Sequence, residues 1–266
     1  MTVDFHSHTN ASDGTLTPIE LVAAMRARGV VIFSITDHDT LRAYEGLEVA
    51  GARIIPGIEI NTTWRGNDVH VLGYGLPLGP SPLVATLEKN RHARLDRMRR
   101  MVAQLRGAGY DISEADVVAE SGSGHAIGRP HVAKALVRAG LVGDVDTAFR
   151  RLLGSNGPGY VPSLHITPME AIEVIARSGG VPVLAHPGRL KDETIIDDLV
   201  AAGLVGLEVF YATHSANQTA HYRSTANRLG LVMTAGSDFH DARWNGRQVG
   251  MDVDEDDVRA FLDLVA

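Results

Sequence analysis

The sequence predicts an α/β protein, built as a distorted (β/α)7 barrel with a mostly helical insertion. Three features predict it. A rhythm of helix, glycine, short apolar strand and polar cluster recurs in the first and last parts of the 266-residue chain. That rhythm stops between residues 83 and 158, where no strand is evident. The polar clusters, rich in His, Asp and Glu, fall where the apolar runs end.

Thr2-Val3-Asp4-Phe5 reads as a first strand ending in His6-Ser7-His8. Side chains two apart on a strand share a face, so His6 and His8 form a pair suited to metal ligation. A loop through Asp13-Gly14 follows. Thr17-Pro18-Ile19-Glu20 then has the form of a capping box with proline at the first helical position. The helix carries Leu21, Val22 and Met25 on one face and stops at Arg28-Gly29. Val30–Ile35 is a continuous apolar run, as a buried parallel strand should be, and ends in Thr36-Asp37-His38-Asp39. A short helix is expected around Leu41–Val49, then strands Arg53–Asn61 through Glu59 and Asp68–Tyr74 through His70.

Pro80-Ser81-Pro82 opens an arginine-rich helix over about Leu83–Arg106. Shorter helices are expected around Glu114–Glu120, Pro130–Arg138 and Val145–Leu153, separated by loops such as Ser121-Gly122-Ser123-Gly124. The expected boundaries are therefore 1–82 and 159–266 for the barrel and 83–158 for the insertion. At Thr167-Pro168-Met169-Glu170 the capping box returns. Strands Val181–Ala185, Val205–Phe210 and Leu231–Ala235 follow, leading to His186, a loop with His214, and Asp238 with His240. A strand near Gln248–Val253 and a helix from Glu255 are expected to cover the barrel.

The chain has no cysteine, so any metal must be held by nitrogen and oxygen. A net charge of −7 argues against broad binding of duplex nucleic acid. No basic-then-apolar leader and no apolar run of membrane-spanning length is seen, so a soluble cytoplasmic protein is expected. Six of the twelve histidines (His6, His8, His38, His70, His186, His240) lie at the ends of apolar runs.

Each cluster alone has a plain structural reading. His38 suits a helix-capping loop, Glu59 a salt-bridged strand, and His186 a satisfied core histidine. Their shared placement at the strand ends, where barrels carry function, points instead to one site. Arg129 and His131 flank Pro130 at a helix start, which favours an anion, although a capped helix with an exposed arginine fits as well. Arg189 offers a planar fork to phosphate. His214 is placed to donate a proton to a leaving oxygen, or is a surface histidine. Arg91 lies on the apolar side of its helix, four residues from Leu87 and from Leu95, and is expected to reach the cleft. Asp39, Arg129 and His214 are the catalytic candidates; Arg91, Arg129, His131, Arg189 and His214 are the substrate-binding ones.

Taken together, Phe5-His6-Ser7-His8-Thr9, Ser12-Asp13-Gly14, Thr36-Asp37-His38-Asp39, Gly57-Ile58-Glu59, Val69-His70, Gly128-Arg129-Pro130-His131, Ala185-His186-Pro187-Gly188-Arg189 and Gly236-Ser237-Asp238-Phe239-His240 resemble the PHP family, named for polymerase and histidinol phosphatase. The resemblance covers nearly the whole chain. It is closest to stand-alone phosphoesterases that remove phosphate from nucleotide 3′,5′-bisphosphates or trim short RNA from the 5′ end. It implies three divalent metals. One is held by His6, His8, Glu59 and Asp238, a second by Glu59, His70 and His186, and a third by Asp13, His38 and His240. Manganese is expected from the family likeness, with iron or zinc also suited to such ligands. Three such ions bring +6 and the three carboxylates −3, so the surplus favours a phosphate ester, small or a short oligonucleotide. A metal-bridging hydroxide would attack it. The chain departs from its relatives in one place: glycine stands at Gly157, where they carry a lysine suited to a second phosphate.

Three alternatives remain open on the sequence. Histidinol-phosphate phosphatase shares the chemistry. A C–N hydrolase of the amidohydrolase type would often use a metal-bridging lysine, but Lys89, Lys134 and Lys191 are not at the ends of expected strands. A non-catalytic metal-binding module would keep the fold alone.

Overall fold

Short β-branched runs punctuated by glycine become strands, and the capped amphipathic segments between them become helices. The structure is a computed structural model, and it describes every residue except 48, 50, 122–126, 163–165 and 243–247. Among the described residues eight strands form one sheet: β1 Thr2–Asp4, β2 Ile32–Ile35, β3 Arg53–Trp64, β4 Asn67–Tyr74, β5 Val181–Leu184, β6 Gly206–Tyr211, β7 Val232–Gly236 and β8 Met251–Asp252. Their order is β7-β6-β5-β4-β3-β2-β1-β8. The Phe5 N–H donates to Ala235 O at 2.8 Å and the Asp238 N–H to His6 O at 2.8 Å. These bonds bring the ends of β1 and β7 together, so the sheet curls into a nearly closed barrel.

The α/β barrel class is therefore as expected, with one change in direction. Strands β1, β2, β3, β5, β6 and β7 run parallel, but β4 pairs antiparallel with both β3 and β5. A tight turn at Arg65-Gly66, both with positive φ, joins β3 directly to β4. No helix intervenes. β8 also runs antiparallel, as an edge strand on β1.

Helix α1 (Pro18–Ala27) has the capping box of Thr17 and Glu20, and α6 (Pro168–Arg177) that of Thr167 and Glu170. Between them lie α2 (Pro82–Gly107), α3 (Glu114–Glu120), α4 (Arg129–Arg138) and α5 (Val145–Ala148). Then come α7 (Ile195–Ala201), α8 (Ala216–Leu229) and α9 (Glu255–Leu264). The helix expected around Leu41–Val49 is reduced to a single 3-10 turn, Arg42–Tyr44. The Tyr44 hydroxyl donates to Ile35 O at 2.6 Å and accepts from the Gly57 N–H at 2.8 Å, which ties that turn to β2 and β3. Most of the expected Gly/Ser loop after Ser121 lies outside the described residues.

Two apolar cores separate along α2. Its first turns place Leu83 and Leu87 with Ile172 and Ile175 of α6 against the barrel. Its later turns place Met98, Met101, Val102 and Leu105 with Val132, Leu136 and Leu152 of the insertion. At the opposite end of the barrel α9 inserts Phe261, whose ring lies 4.9 Å from those of Phe5 and Tyr74.

Candidate metal centre and its cleft

At the barrel mouth, five histidines surround one carboxylate. Glu59 Oε1 lies 2.8 Å from His70 Nδ1 and 3.0 Å from His186 Nε2. Its Oε2 lies 3.1 Å from His38 Nδ1, 3.2 Å from His8 Nε2 and 3.3 Å from His6 Nε2. Asp238 Oδ1 stands 3.3 to 3.5 Å from ring nitrogens of His8, His240 and His6. Asp13 Oδ1 is 3.2 Å from His240 Nε2, and its Oδ2 is 3.8 Å from His38 Nε2. All nine ligand candidates from the sequence thus meet at one end of the barrel. His70 reaches it from near the start of β4, because that strand runs the other way.

The donors group as an ion would need them. The sets His6, His8, Glu59 and Asp238; His8, Asp13, His38 and His240; and His38, Glu59 and His70 each offer atoms within 4.8 Å of one another. Ligands about 2.0–2.2 Å from one ion stand at such separations. His6 Nε2 and His8 Nε2 face each other at 3.1 Å, a separation that two nitrogen ligands of one ion can share. His8 Nδ1 and Glu59 Oε2 are buried without a hydrogen-bond partner among the described residues. Cations supply what these atoms lack, so the residues fit divalent metals.

The electrostatics agree. Burial opposes a charge on His8, but Asp238 and Glu59 outweigh it and raise the imidazole to about 10. His6 is likewise raised, against burial, by Glu208, Glu59 and Asp238. The carboxyls of Asp13, Glu59 and Asp238 are held well below their usual range by the surrounding imidazoles, although burial works the other way. His38 and His186 are lowered, chiefly by burial. Asp13, Glu59 and Asp238 therefore keep the carboxylate form in which they can ligate a metal.

Backbone strain gathers here too. Asp39, His186 and Asp238 all have positive φ, which is uncommon for residues other than glycine. Each is held by its own N–H: Asp39 to Glu59 O, His186 to Glu208 Oε2 and Asp238 to His6 O.

Several supporting residues escaped sequence reasoning. Glu208 is fully buried and receives both His6 Nδ1, at 2.9 Å, and the His186 N–H, at 2.7 Å. The Tyr211 hydroxyl donates to Asp238 Oδ2 at 2.7 Å. Asp37 accepts from the Thr9 N–H and hydroxyl and from the Ser12 hydroxyl, fixing the loop that presents Asp13. A buried carboxylate inside an apolar strand was the available signal for Glu208.

The other candidates separate. Arg189 borders the cleft, a cavity of about 150 Å³, with its guanidinium 3.4 Å from Asp238 Oδ2 and over the Tyr211 ring. Arg129 pairs with Asp68 and lies beside the cleft. Four expectations change. Asp39 is buried and spent on Arg94, Asn61 and Asn90, so no oxygen is left for a catalytic task. His131 is buried, with Nδ1 accepting from the Gly128 N–H and Nε2 donating to Ser12 O, so it fastens the insertion to the barrel loop rather than facing substrate. His214 is tied by Nδ1 to Val209 O and by Nε2 to the Gly188 N–H, so it offers no proton to a leaving group. Arg91 pairs with Glu88 and borders a surface depression beside Leu41 and Val84, not the metal cleft.

Comparison with known proteins agrees with this geometry. The PHP domain model matches residues 4–153. The 3′,5′-nucleoside bisphosphate phosphatase of Chromobacterium violaceum is 36% identical over 257 residues, covering 93% of this chain and 90% of that protein. The 5′-3′ exoribonuclease Rnm of Escherichia coli is 35% identical, covering 89% and 84%. A solved structure described as an amidohydrolase from Chromobacterium violaceum, with bound sulfate, superposes with a TM-score of 0.90 at 32% identity, covering 98% of this chain and 95% of that one. Matched by the domain model over more than half its length, and by relatives along nearly all of it, this chain belongs to the PHP domain family.

Proposed function

We propose that this metal-dependent phosphoesterase removes the 3′-phosphate of nucleoside 3′,5′-bisphosphates, and that the same cleft accepts short 5′-phosphorylated oligonucleotides. The observation that carries the reading is Glu59, whose two oxygens face two different sets of imidazoles. A carboxylate so placed suits the bridging of two ions, an arrangement used in phosphate ester hydrolysis.

In this reading three divalent ions, manganese by preference, bind the centre. His6, His8, Glu59 and Asp238 hold the first, Glu59, His70 and His186 the second, and Asp13, His38 and His240 the third. Such ions polarise a phosphoryl oxygen and activate water near neutral pH. Glu208 and Tyr211 keep His6 and Asp238 turned toward the centre. Arg189 presents guanidinium donors at the cleft rim, where a phosphate oxygen can take them. Residues 83–158 serve as a cap over this end of the barrel. The setting is cytoplasmic, in keeping with a cysteine-free chain with no membrane-spanning helix among the described residues.

The test is phosphate release in manganese buffer from adenosine 3′,5′-bisphosphate, histidinol phosphate and a 5′-phosphorylated dinucleotide. The bisphosphate should lead histidinol phosphate in kcat/KM by at least about tenfold, the discrimination expected when a site reads a polar group. A reversed order would overturn the assignment.

A further inference from the structure

Arg189 reaches the cleft from a turn rather than from a helix or strand. Pro187–Arg189 is a single 3-10 turn shortly after β5. The Arg189 N–H closes it on His186 O at 2.9 Å, and the Leu190 N–H on Pro187 O at 3.0 Å. The guanidinium itself is weakly held. Its side chain is 53% exposed, its bond to Asp238 Oδ2 is long at 3.4 Å, and its central carbon lies 5.6 Å from the Tyr211 ring. An ion pair so exposed contributes little to fixing a long side chain. The backbone of the turn therefore sets where the guanidinium can go.

Two side chains tether that backbone. Glu208 takes the His186 N–H just before the turn. His214 takes the Gly188 N–H on Nε2 at 3.1 Å, inside the turn. The imidazole is well anchored for this task. Its Nδ1 donates to Val209 O of β6 at 3.0 Å, which leaves Nε2 as the acceptor. Its ring lies 5.1 Å from that of Tyr211 and 5.0 Å from that of Tyr222 on α8, and its own N–H donates to Tyr211 O at 2.9 Å. The turn packs directly on it: a Cβ at Gly188 would stand 2.8 Å from His214 Nε2 and from Gln218 Nε2. A larger residue at position 188 would lift the turn off this support.

We propose that His214 is the positioning residue for Arg189, holding the turn that presents the guanidinium to a substrate phosphate. The proposal rests on the phosphoesterase reading of the cleft. It gives a buried role to a histidine with neither ring nitrogen turned to substrate. A guanidinium bonds a phosphate well only when its planar fork meets the oxygens squarely, so a turn that drifts weakens binding before it affects chemistry.

The test is hydrolysis of adenosine 3′,5′-bisphosphate by manganese-loaded variants, beside calorimetric binding of inorganic phosphate. His214→Leu keeps bulk but has no acceptor. It should raise KM and weaken phosphate binding by roughly tenfold, with kcat changed less than about threefold. His214→Gln, whose amide oxygen can take the Gly188 N–H, should recover most of the loss, which a proton donor would not survive. In an Arg189→Ala background His214→Leu should cost less than about twofold, because both changes remove one contact. Metal content should match the parent's throughout. A loss of kcat common to the leucine and glutamine variants, a full loss in the Arg189→Ala background, or lost metal would overturn the proposal. If the parent binds phosphate but cleaves no ester, the phosphoesterase reading falls and the calorimetry decides the role of His214. A parent that binds no phosphate would overturn both. Should His214→Leu fail to fold, His214→Phe, which keeps a ring without the nitrogens, is read by the same criteria.

Discussion

His6 Nδ1 lies 2.9 Å from Glu208 Oε1, and both side chains are fully buried. With the carboxylate as acceptor, Nδ1 carries the proton and Nε2 is left to face Glu59 and Asp238. The other Glu208 oxygen takes the His186 N–H, so one carboxylate positions two site residues. Glutamine offers one acceptor for these two donors. Glu208→Gln should therefore weaken metal binding and lower turnover by roughly ten- to a hundredfold, the usual range for such supporting partners. Metal titration beside steady-state rates checks this, and values within twofold of the parent would refute it.

Chelation should abolish phosphate release, and manganese should restore it better than zinc or magnesium. The motive is the nitrogen-rich, cysteine-free ligand set. Asp238→Ala and His6→Ala should each remove nearly all turnover. Circular dichroism should show an intact fold, because residues at the strand ends of barrels serve function more than stability. Full activity at near-zero metal content would sink the mechanism.

His131 predicts an acid-sensitive fold. Burial holds its imidazole down at about 4, below the ordinary value of 6.5. The unfolded chain therefore binds the extra proton between about pH 6.5 and 4, and stability falls as pH falls through that window. The contribution is on the order of 3 kcal/mol at most. His131→Gln should flatten the slope of urea-unfolding stability over this range. An unchanged slope would show that His131 is not buried neutral.

Gly157 is required by space rather than by backbone angle. A Cβ there would meet Leu152 O at 2.3 Å, a backbone atom that cannot swing aside. A lysine at this position would disrupt the turn before it reached any phosphate. Gly157→Ala should already cost about 1–3 kcal/mol, as overpacking does, and lower Tm by several degrees. A thermal melt matching the parent's would show that the turn can move.

The gathering of these histidines and carboxylates was legible in the sequence because its logic is local. Strand periodicity puts His6 and His8 on one face, and apolar runs with polar ends mark where a barrel opens. Thr17 with Glu20 and Thr167 with Glu170 announce helix starts three residues apart. Other features depend on the path of the chain between distant residues. The reversal of β4, which delivers His70 to the mouth, follows from its pairing with both β3 and β5. Arg91 and Arg94 sit three residues apart on α2 and look alike in the sequence. Only the packing of α2 against β3 and the loop after β2 turns Arg94 toward Asp39, 55 residues away, and leaves Arg91 with Glu88. By itself the sequence determined the kinds of side chain in the cluster and the barrel end that carries them, since short-range periodicity encodes both. The tertiary structure decided which charged side chains are buried against one another, because desolvation and partner geometry exist only once remote segments meet.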